Sequence, residues 1–311
     1  MISPSATVCF IGFGEAGSIL GADLAQHGLA VRCYDLLFDV PAERARMLLR
    51  CADARVDAAA SVADAVRGAK LVVSAVTASA SRDVARDTAL LLQAGQIFLD
   101  LNSVSPETKR GNAQLVEASG ASYVEAAVMA PVPPQRLRVP MLLGGPRAAE
   151  LAPALAALGL NVEAVAAEVG VASAIKMCRS ILIKGLEALT VESLLTARHY
   201  GAEDAVLASL AGTYPAMGWT AELPDYLISR VAEHGRRRAA EMREVAQTVA
   251  ASGMTPLLAT AVAQRQDALV DAMEAAALCY DSSEAFSWRA LADRLAARRA
   301  DQTAVSSPAP P

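Results

Sequence analysis

Thr7-Val8-Cys9-Phe10-Ile11-Gly12-Phe13-Gly14-Glu15-Ala16-Gly17 is the stretch on which the reading of this chain turns. Five β-prone residues, four of them apolar, run straight into three glycines spaced G-x-G-x-x-G, and an apolar helical pattern follows. Each glycine has a separate physical task. Gly12 permits the tight turn out of the strand, Gly14 lets a pyrophosphate approach the backbone, and Gly17 allows the helix to pack closely on the strand. The positive end of the following helix then faces the anion. The next apolar run, Val31-Arg32-Cys33-Tyr34, ends at Asp35, about 20 residues downstream, where a ribose-binding acid belongs. A carboxylate there accepts from both ribose hydroxyls and repels a 2′-phosphate. The expected cofactor is therefore NAD, with NADP left open because Arg32, Arg44 and Arg46 lie near in sequence. The competing reading is a glycine turn in an α/β fold that binds no nucleotide, with Asp35 merely on the surface.

Outward from that turn, short apolar runs alternate with helical patterns. Strands are expected at Thr7–Ile11, Ala30–Tyr34, Lys70–Ala75, Gln96–Leu101 and Ser122–Ala126, with two more at Met141–Gly144 and Asn161–Val165. Helices are expected at Ser18–His27, Val62–Gly68, Ser81–Gln93, Pro106–Ser119 and Arg147–Leu158. Such alternation implies a doubly wound, mostly parallel sheet, the Rossmann α/β class. Beyond about Ala167 the strand signals stop and helical spacing continues to Arg299, so an all-helical domain follows. The expected organisation is a dinucleotide-binding domain over residues 1–166, an all-helical domain over 167–299, and a disordered tail over 300–311.

Composition narrows the class. The 311 residues carry a formal charge of −5, with 54% hydrophobic and 20% charged residues. That balance argues against a nucleic-acid partner. No apolar run reaches the ~20 residues a membrane span needs without a charge, and the N-terminus lacks a basic region before its first apolar stretch, so a cytoplasmic protein is expected. Five cysteines without a CxxC pair suit a reducing compartment. Three histidines (His27, His199, His234) and scattered cysteines offer no metal-ligand spacing, so no metal is expected.

Only four of the 28 basic residues are lysines, and two of them, Lys176 and Lys184, lie on one apolar helical stretch, Val171–Leu189. Helical offsets place Lys176, Arg179, Ser180, Ile183, Lys184 and Glu187 on one face. Such a face either lines a polar cleft, where a desolvated lysine becomes a useful acid–base, or forms a solvated stripe or an interface ion pair through Glu187. A second cationic cluster, His234, Arg236, Arg237 and Arg238, either clamps an anion or begins a helix with solvated charges.

Taken in order, these segments resemble the β-hydroxyacid dehydrogenase superfamily, which includes 3-hydroxyisobutyrate and 6-phosphogluconate dehydrogenases. The resemblance spans most of residues 5–290. It is strongest to NAD-binding phosphogluconate-dehydrogenase-like proteins with a C-terminal domain of unknown function. Gly12–Gly17 (with Phe13, Glu15 and Ala16) resembles the cofactor turn, and Asp100-Leu101-Asn102-Ser103-Val104-Ser105-Pro106 resembles the substrate segment. Glu125-Ala126-Ala127-Val128-Met129-Ala130-Pro131-Val132 resembles the pocket-lining loop, and Gly170–Lys176 resembles the helix that carries the acid–base lysine. His234–Met242 looks characteristic of the subgroup's C-terminal domain.

The resemblance implies roles. Lys176 would be the general acid–base. Asn102, Ser103, Met129, Ala130, Pro131, Val132, Arg179, Ser180 and Lys184 would bind substrate, and Val76, Thr77 and Ala78 would flank the nicotinamide ribose. It implies hydride transfer between NAD(P) and a small anionic β-hydroxy acid in a homodimer. Two departures matter. Ser180 stands where many relatives have asparagine, and apolar Ile183 stands where decarboxylating members have an acid. The second argues against oxidative decarboxylation unless Glu187 or Glu192 substitutes. Alternatives are imine reduction or reductive amination, which usually replace the lysine, and a non-catalytic NAD sensor.

Overall fold

The apolar runs become strands β1 (Thr7–Ile11), β2 (Ala30–Tyr34), β3 (Asp57–Ala58), β4 (Leu71–Ser74), β5 (Ile97–Asp100), β6 (Ser122–Val128), β7 (Met141–Gly144) and β8 (Val162–Ala166). The computed structural model describes residues 7–306, with side chains described for 7–298. Interleaved are helices α1 (Glu15–Gln26), α2 (Pro41–Ala54), α3 (Val62–Val66), α4 (Ser81–Ala89), α5 (Pro106–Glu117), α6 (Val132–Gln135) and α7 (Ala148–Ala157). The long α8 (Val171–His199) then leads to α9 (Glu203–Thr213), α10 (Leu223–Ala251), α11 (Leu257–Ala275) and α12 (Trp288–Ser306).

One eight-stranded sheet has the order β3-β2-β1-β4-β5-β6-β7-β8. All neighbours are parallel except β6 and β7. The order reverses between β1 and β4, the switch point where such sheets open a crevice at the carboxyl ends of their strands. Both faces are covered, which is why the strands read as continuous apolar runs rather than alternating ones. Val8, Phe10, Leu71, Val73, Leu99 and Val124 pack into the core on one face. Cys9, Ile11, Val72, Phe98 and Tyr123 pack into the other.

Three features depart from the sequence expectation. The helix α2 was not anticipated, although Pro41 at its first turn and buried Met47, Cys51 and Ala54 at helical spacing were available signals. The two-residue β3 is too short to leave a periodicity. At the C-terminus, α12 runs through residue 306 and so enters the segment expected as a disordered tail, while 307–311 lie outside the described residues.

By internal packing the chain divides between Cys178 and Arg179, inside α8. The last strand ends at Ala166, where the first domain was expected to end, but the opening turns of α8 are tied to β6 by hydrogen bonds. In the second unit, Val191, Leu194, Leu227, Ile228, Val231, Leu269, Met273, Trp288 and Leu291 form a separate core. Gly235 lets α10 and α11 approach closely: a methyl there would meet Val270 Cγ2 at 2.5 Å.

Candidate active site

Strand register places Tyr34, Ile11, Ser74, Asp100 and Glu125 in one row across β2, β1, β4, β5 and β6. The loops that leave four of these strands begin with Asp35, Gly12, Ala75 and Leu101. Neighbouring strands stand about 4.8 Å apart, so the glycine turn after β1 and the Asn102-Ser103 turn after β5 are separated by roughly 10 Å. The expected cofactor and substrate segments therefore share one edge of the sheet.

Gly12 has φ +90°, and a Cβ on it would meet the Ala75 carbonyl oxygen at 2.5 Å. A Cβ on Gly17 would meet the Gly12 oxygen at 2.3 Å. Gly14 is the opposite case, with no atom within 4 Å of a built Cβ. It is also the N-cap of α1 and offers no side chain to the first-turn amides. Two glycines are thus demanded by packing, and the third leaves the helix N-terminus open to an anion. Asp35 Oδ2 accepts from the Phe13 amide at 2.7 Å and Oδ1 accepts from Leu37 at 2.9 Å. Each oxygen retains a second lone pair for a ribose hydroxyl. These residues fit a dinucleotide.

Two of the arginines near Asp35 in sequence are held by other partners. Arg32 donates to the Asp64 carbonyl at 3.0 Å, and Arg46 pairs with Glu43 at 2.5 Å. Instead Arg50, on α2, reaches the turn and donates to the Phe13 carbonyl at 3.2 Å. No spacing rule pointed to it.

Asn102 is 4% exposed, and its side chain braces two strand ends. Its Oδ1 accepts from the Val76 amide at 2.7 Å, and its Nδ2 donates to Ser74 Oγ at 2.9 Å and Ser81 Oγ at 3.3 Å. It thereby holds the Val76-Thr77-Ala78 segment, in which Thr77 is exposed and its neighbours half-buried. Beneath it, Asp100 Oδ1 accepts from the Asn102 amide and pairs with the Lys109 ammonium, both at 2.9 Å. Asp100 Oδ2 accepts from Tyr123 Oη at 2.6 Å and Asn112 Nδ2 at 3.2 Å. Burial and the Asp100 charge together push the Tyr123 phenol well above its ordinary range, so it stays a donor.

Lys176 is half-buried on the second turn of α8, and its ammonium donates to Ser103 Oγ. The start of that helix is fixed by Glu125, which is fully buried on β6. Glu125 Oε1 accepts from the amides of Gly170 (2.6 Å) and Ala172 (3.1 Å), and Oε2 accepts from Ser173 (3.3 Å). A carboxylate at a helix N-terminus satisfies orphan donors and complements the dipole. In the sequence Glu125 stands as a lone acid inside the expected strand Ser122–Ala126 and at the head of the segment resembling a pocket-lining loop, but nothing there assigns it this role. Past β6, the Met129 amide donates to the Pro140 carbonyl at 2.8 Å, Ala130 is half-buried, Pro131 is exposed and Val132 is buried at the start of α6.

Within the second unit, the polar face of α8 is occupied by α10. The Lys184 ammonium donates to Glu241, and Arg238 donates to both carboxylate oxygens of Glu187 through its Nε and Nη2. Burial lowers the Lys184 pKa and raises that of Glu187 from their ordinary values. Arg237 shares Glu241 at 2.8 Å, and Arg236 reaches Asp271 at 2.6 Å and Glu274 at 2.8 Å. The cationic cluster is thus engaged in ion pairs. Ser180 is buried and Arg179 is exposed. Among the described residues, no group of three or more His, Cys, Asp or Glu side chains could hold a metal ion, and no helix is long and apolar enough to cross a membrane.

Comparison with known proteins agrees with this geometry. Residues 7–166 match the model described as the NAD binding domain of 6-phosphogluconate dehydrogenase, and residues 197–269 match a domain of unknown function, DUF1932. The chain is 37% identical to a conserved hypothetical protein from Sinorhizobium meliloti 1021 of known crystal structure, over 96% of this chain and 97% of that one, with a TM-score of 0.74. A conserved protein of unknown function, whose structure was described as similar to 3-hydroxyacid dehydrogenases, is 31% identical over 85% of this chain and 97% of its own, with a TM-score of 0.67. The 3-hydroxyisobutyrate dehydrogenase of Pseudomonas aeruginosa is 26% identical over 70% of this chain and 72% of that protein. With its glycine turn, Asp35 and sheet order in place, the chain belongs to the NAD(P)-binding oxidoreductases of the 3-hydroxyisobutyrate and 6-phosphogluconate dehydrogenase-like family.

Proposed function

We propose that the protein catalyses reversible hydride transfer between a nicotinamide dinucleotide and the C–OH carbon of a small β-hydroxy acid, with Lys176 as general acid–base. The observation that carries this reading is the hydrogen bond from Lys176 to Ser103, at the sheet edge that also bears the glycine turn. When bound, the nicotinamide supplies the hydride acceptor or donor. In the oxidative direction, the neutral Lys176 amine takes the hydroxyl proton as the carbinol C–H bond breaks, and the carbonyl forms. In the reductive direction its ammonium returns that proton. Ser103 accepts from the ammonium and can also donate to the substrate's acid group. The backbone of Met129–Val132 lines the acid group's position, and Val76, Thr77 and Ala78 flank the cofactor ribose.

Arg179 and Ser180, three and four residues after Lys176 on the same helix, contribute an anion contact and a hydroxyl donor. Lys184 is left out of this assignment because its ammonium is bonded to Glu241. Asp35 favours NAD over NADP. The apolar Ile183, with Glu187 bound to Arg238 and Glu192 paired with Arg265 at 2.6 Å, argues against an oxidative decarboxylation that needs a second carboxylic acid.

The decisive assay follows NAD(P) reduction across panels of β-hydroxy acids and of amines. Turnover of a hydroxy acid supports the reading. Turnover of amines alone, or nucleotide binding without turnover of either panel, contradicts it.

A homodimer is part of the same proposal. On α8, Leu182 and Leu189 are 76% and 68% exposed and seven residues apart, with Ile183 also exposed beside them. A stripe of that kind on one helix face suits burial against a second copy. Light scattering at micromolar concentration should give twice the mass of one chain; a monomer mass would refute this part.

A further inference from the structure

We infer that Asp100 and Glu125 are a matched pair of positioning residues that set the Ser103–Lys176 contact from inside the sheet. The two are register partners on β5 and β6, and both are fully buried. Removing a carboxylate from water costs several kcal/mol unless every lone pair finds a donor. Here the donors are chosen to a pattern. Asp100 accepts from the amide of Asn102, the residue before Ser103. Glu125 accepts from the amides of Gly170, Ala172 and Ser173, the last of them three residues before Lys176. Each carboxylate therefore grips the backbone that presents one member of the contact.

The sheet supplies the ruler. Adjacent strands hold their register partners about 4.8 Å apart, and buried parallel strands do not slide. A shift of either carboxylate moves Ser103 relative to Lys176. Both are pinned from further sides as well. Asp100 is bound by Lys109, Tyr123 and Asn112. Glu125 is backed by Gly144 on β7, where a methyl group would meet Oε1 at 2.5 Å. The absence of a side chain at Gly144 is what leaves room for the acid.

This inference rests on the proposed role of Lys176 for its kinetic consequence, but not for its structural one. The chain has only four lysines, so protein labelled at lysine 13Cε gives four signals, each assignable by substitution. In the unliganded protein, Ser103→Ala defines how the Lys176 signal shifts when its partner is lost. Glu125→Ala should reproduce that shift while the Lys70 and Lys184 signals stay in place. Kinetically, kcat should fall about 10- to 100-fold, as expected for a misplacement near 1 Å, with the KM for NAD(P) within twofold. Glu125→Gln, which keeps the length and one acceptor oxygen, should restore most of kcat.

Should Glu125→Ala fail to fold, Gly144→Ala displaces the carboxylate without removing it and should give the same Lys176 shift. An unmoved Lys176 signal with kcat within twofold overturns the inference. So does a shift of all four lysine signals together, which would mark general loosening. If Lys176→Ala kept full turnover, the catalytic reading would fail, whereas the NMR outcome would still decide the positioning claim.

Discussion

The ammonium of Lys176 donates to the hydroxyl of Ser103, a partner 73 residues away in sequence. Ser103 follows a strand end, and Lys176 sits early on a helix that starts against the next strand. Acid–base chemistry needs such a pair held more tightly than a loop can manage. Here the sheet register does the holding.

Asp35 joins the ends of β1 and β2 through the Phe13 amide and should set cofactor choice. Asp35→Asn keeps an acceptor for that amide but removes the charge that repels a 2′-phosphate. The ratio of kcat/KM for NADP over NAD should rise about tenfold, on the order of 1.4 kcal/mol. Steady-state kinetics with each cofactor tests this, and an unchanged ratio would show that Asp35 takes no part in discrimination.

Buried and exposed ion pairs should behave very differently. Lys109→Met leaves Asp100 buried without its cation and should cost about 3–5 kcal/mol. Arg86→Ala breaks exposed pairs with Asp83 and Asp87 and should leave stability almost unchanged. Urea unfolding of the unliganded variants separates them, and equal losses would contradict the importance given to the Asp100 network.

His234 gives the helical unit a pH dependence of definite sign. Burial first, then the charges of Arg230 and Arg237, lower its pKa below 6.5. The unfolded chain therefore binds the proton first as pH falls, and native stability drops between 6.5 and the lowered value. His234→Gln should show a shallower fall in Tm than the parent between about pH 7.5 and 5.5. Parallel Tm profiles would mean that His234 titrates alike in both states.

Much of the first unit was legible because its chemistry is local. Strands β1, β2 and β7 fall where their apolar runs do, and the glycines of the cofactor turn carry their reasons in their spacing. The helix pattern placed Lys176 correctly on α8 but could not show what Lys184 meets, since Glu241 is 57 residues away. Likewise Asp100, Lys109, Asn112 and Tyr123 come together only when β5, α5 and β6 pack. Glu125 was visible as an acid in a buried strand, but its partners at the start of α8 lie 45 to 48 residues on. Long-range polar contacts leave no periodicity to read. Neighbouring-strand register creates them, and that register is set by the fold as a whole.

The most direct test of the catalytic assignment is the single-turnover rate of hydride transfer in Lys176→Met, followed by NAD(P)H absorbance with the hydroxy acid found in the panel. Loss of proton transfer should slow the step about 10²- to 10⁴-fold, while the Kd for NAD(P) measured by calorimetry stays within twofold. Hydride transfer at the parent rate in that variant would contradict the role assigned to Lys176.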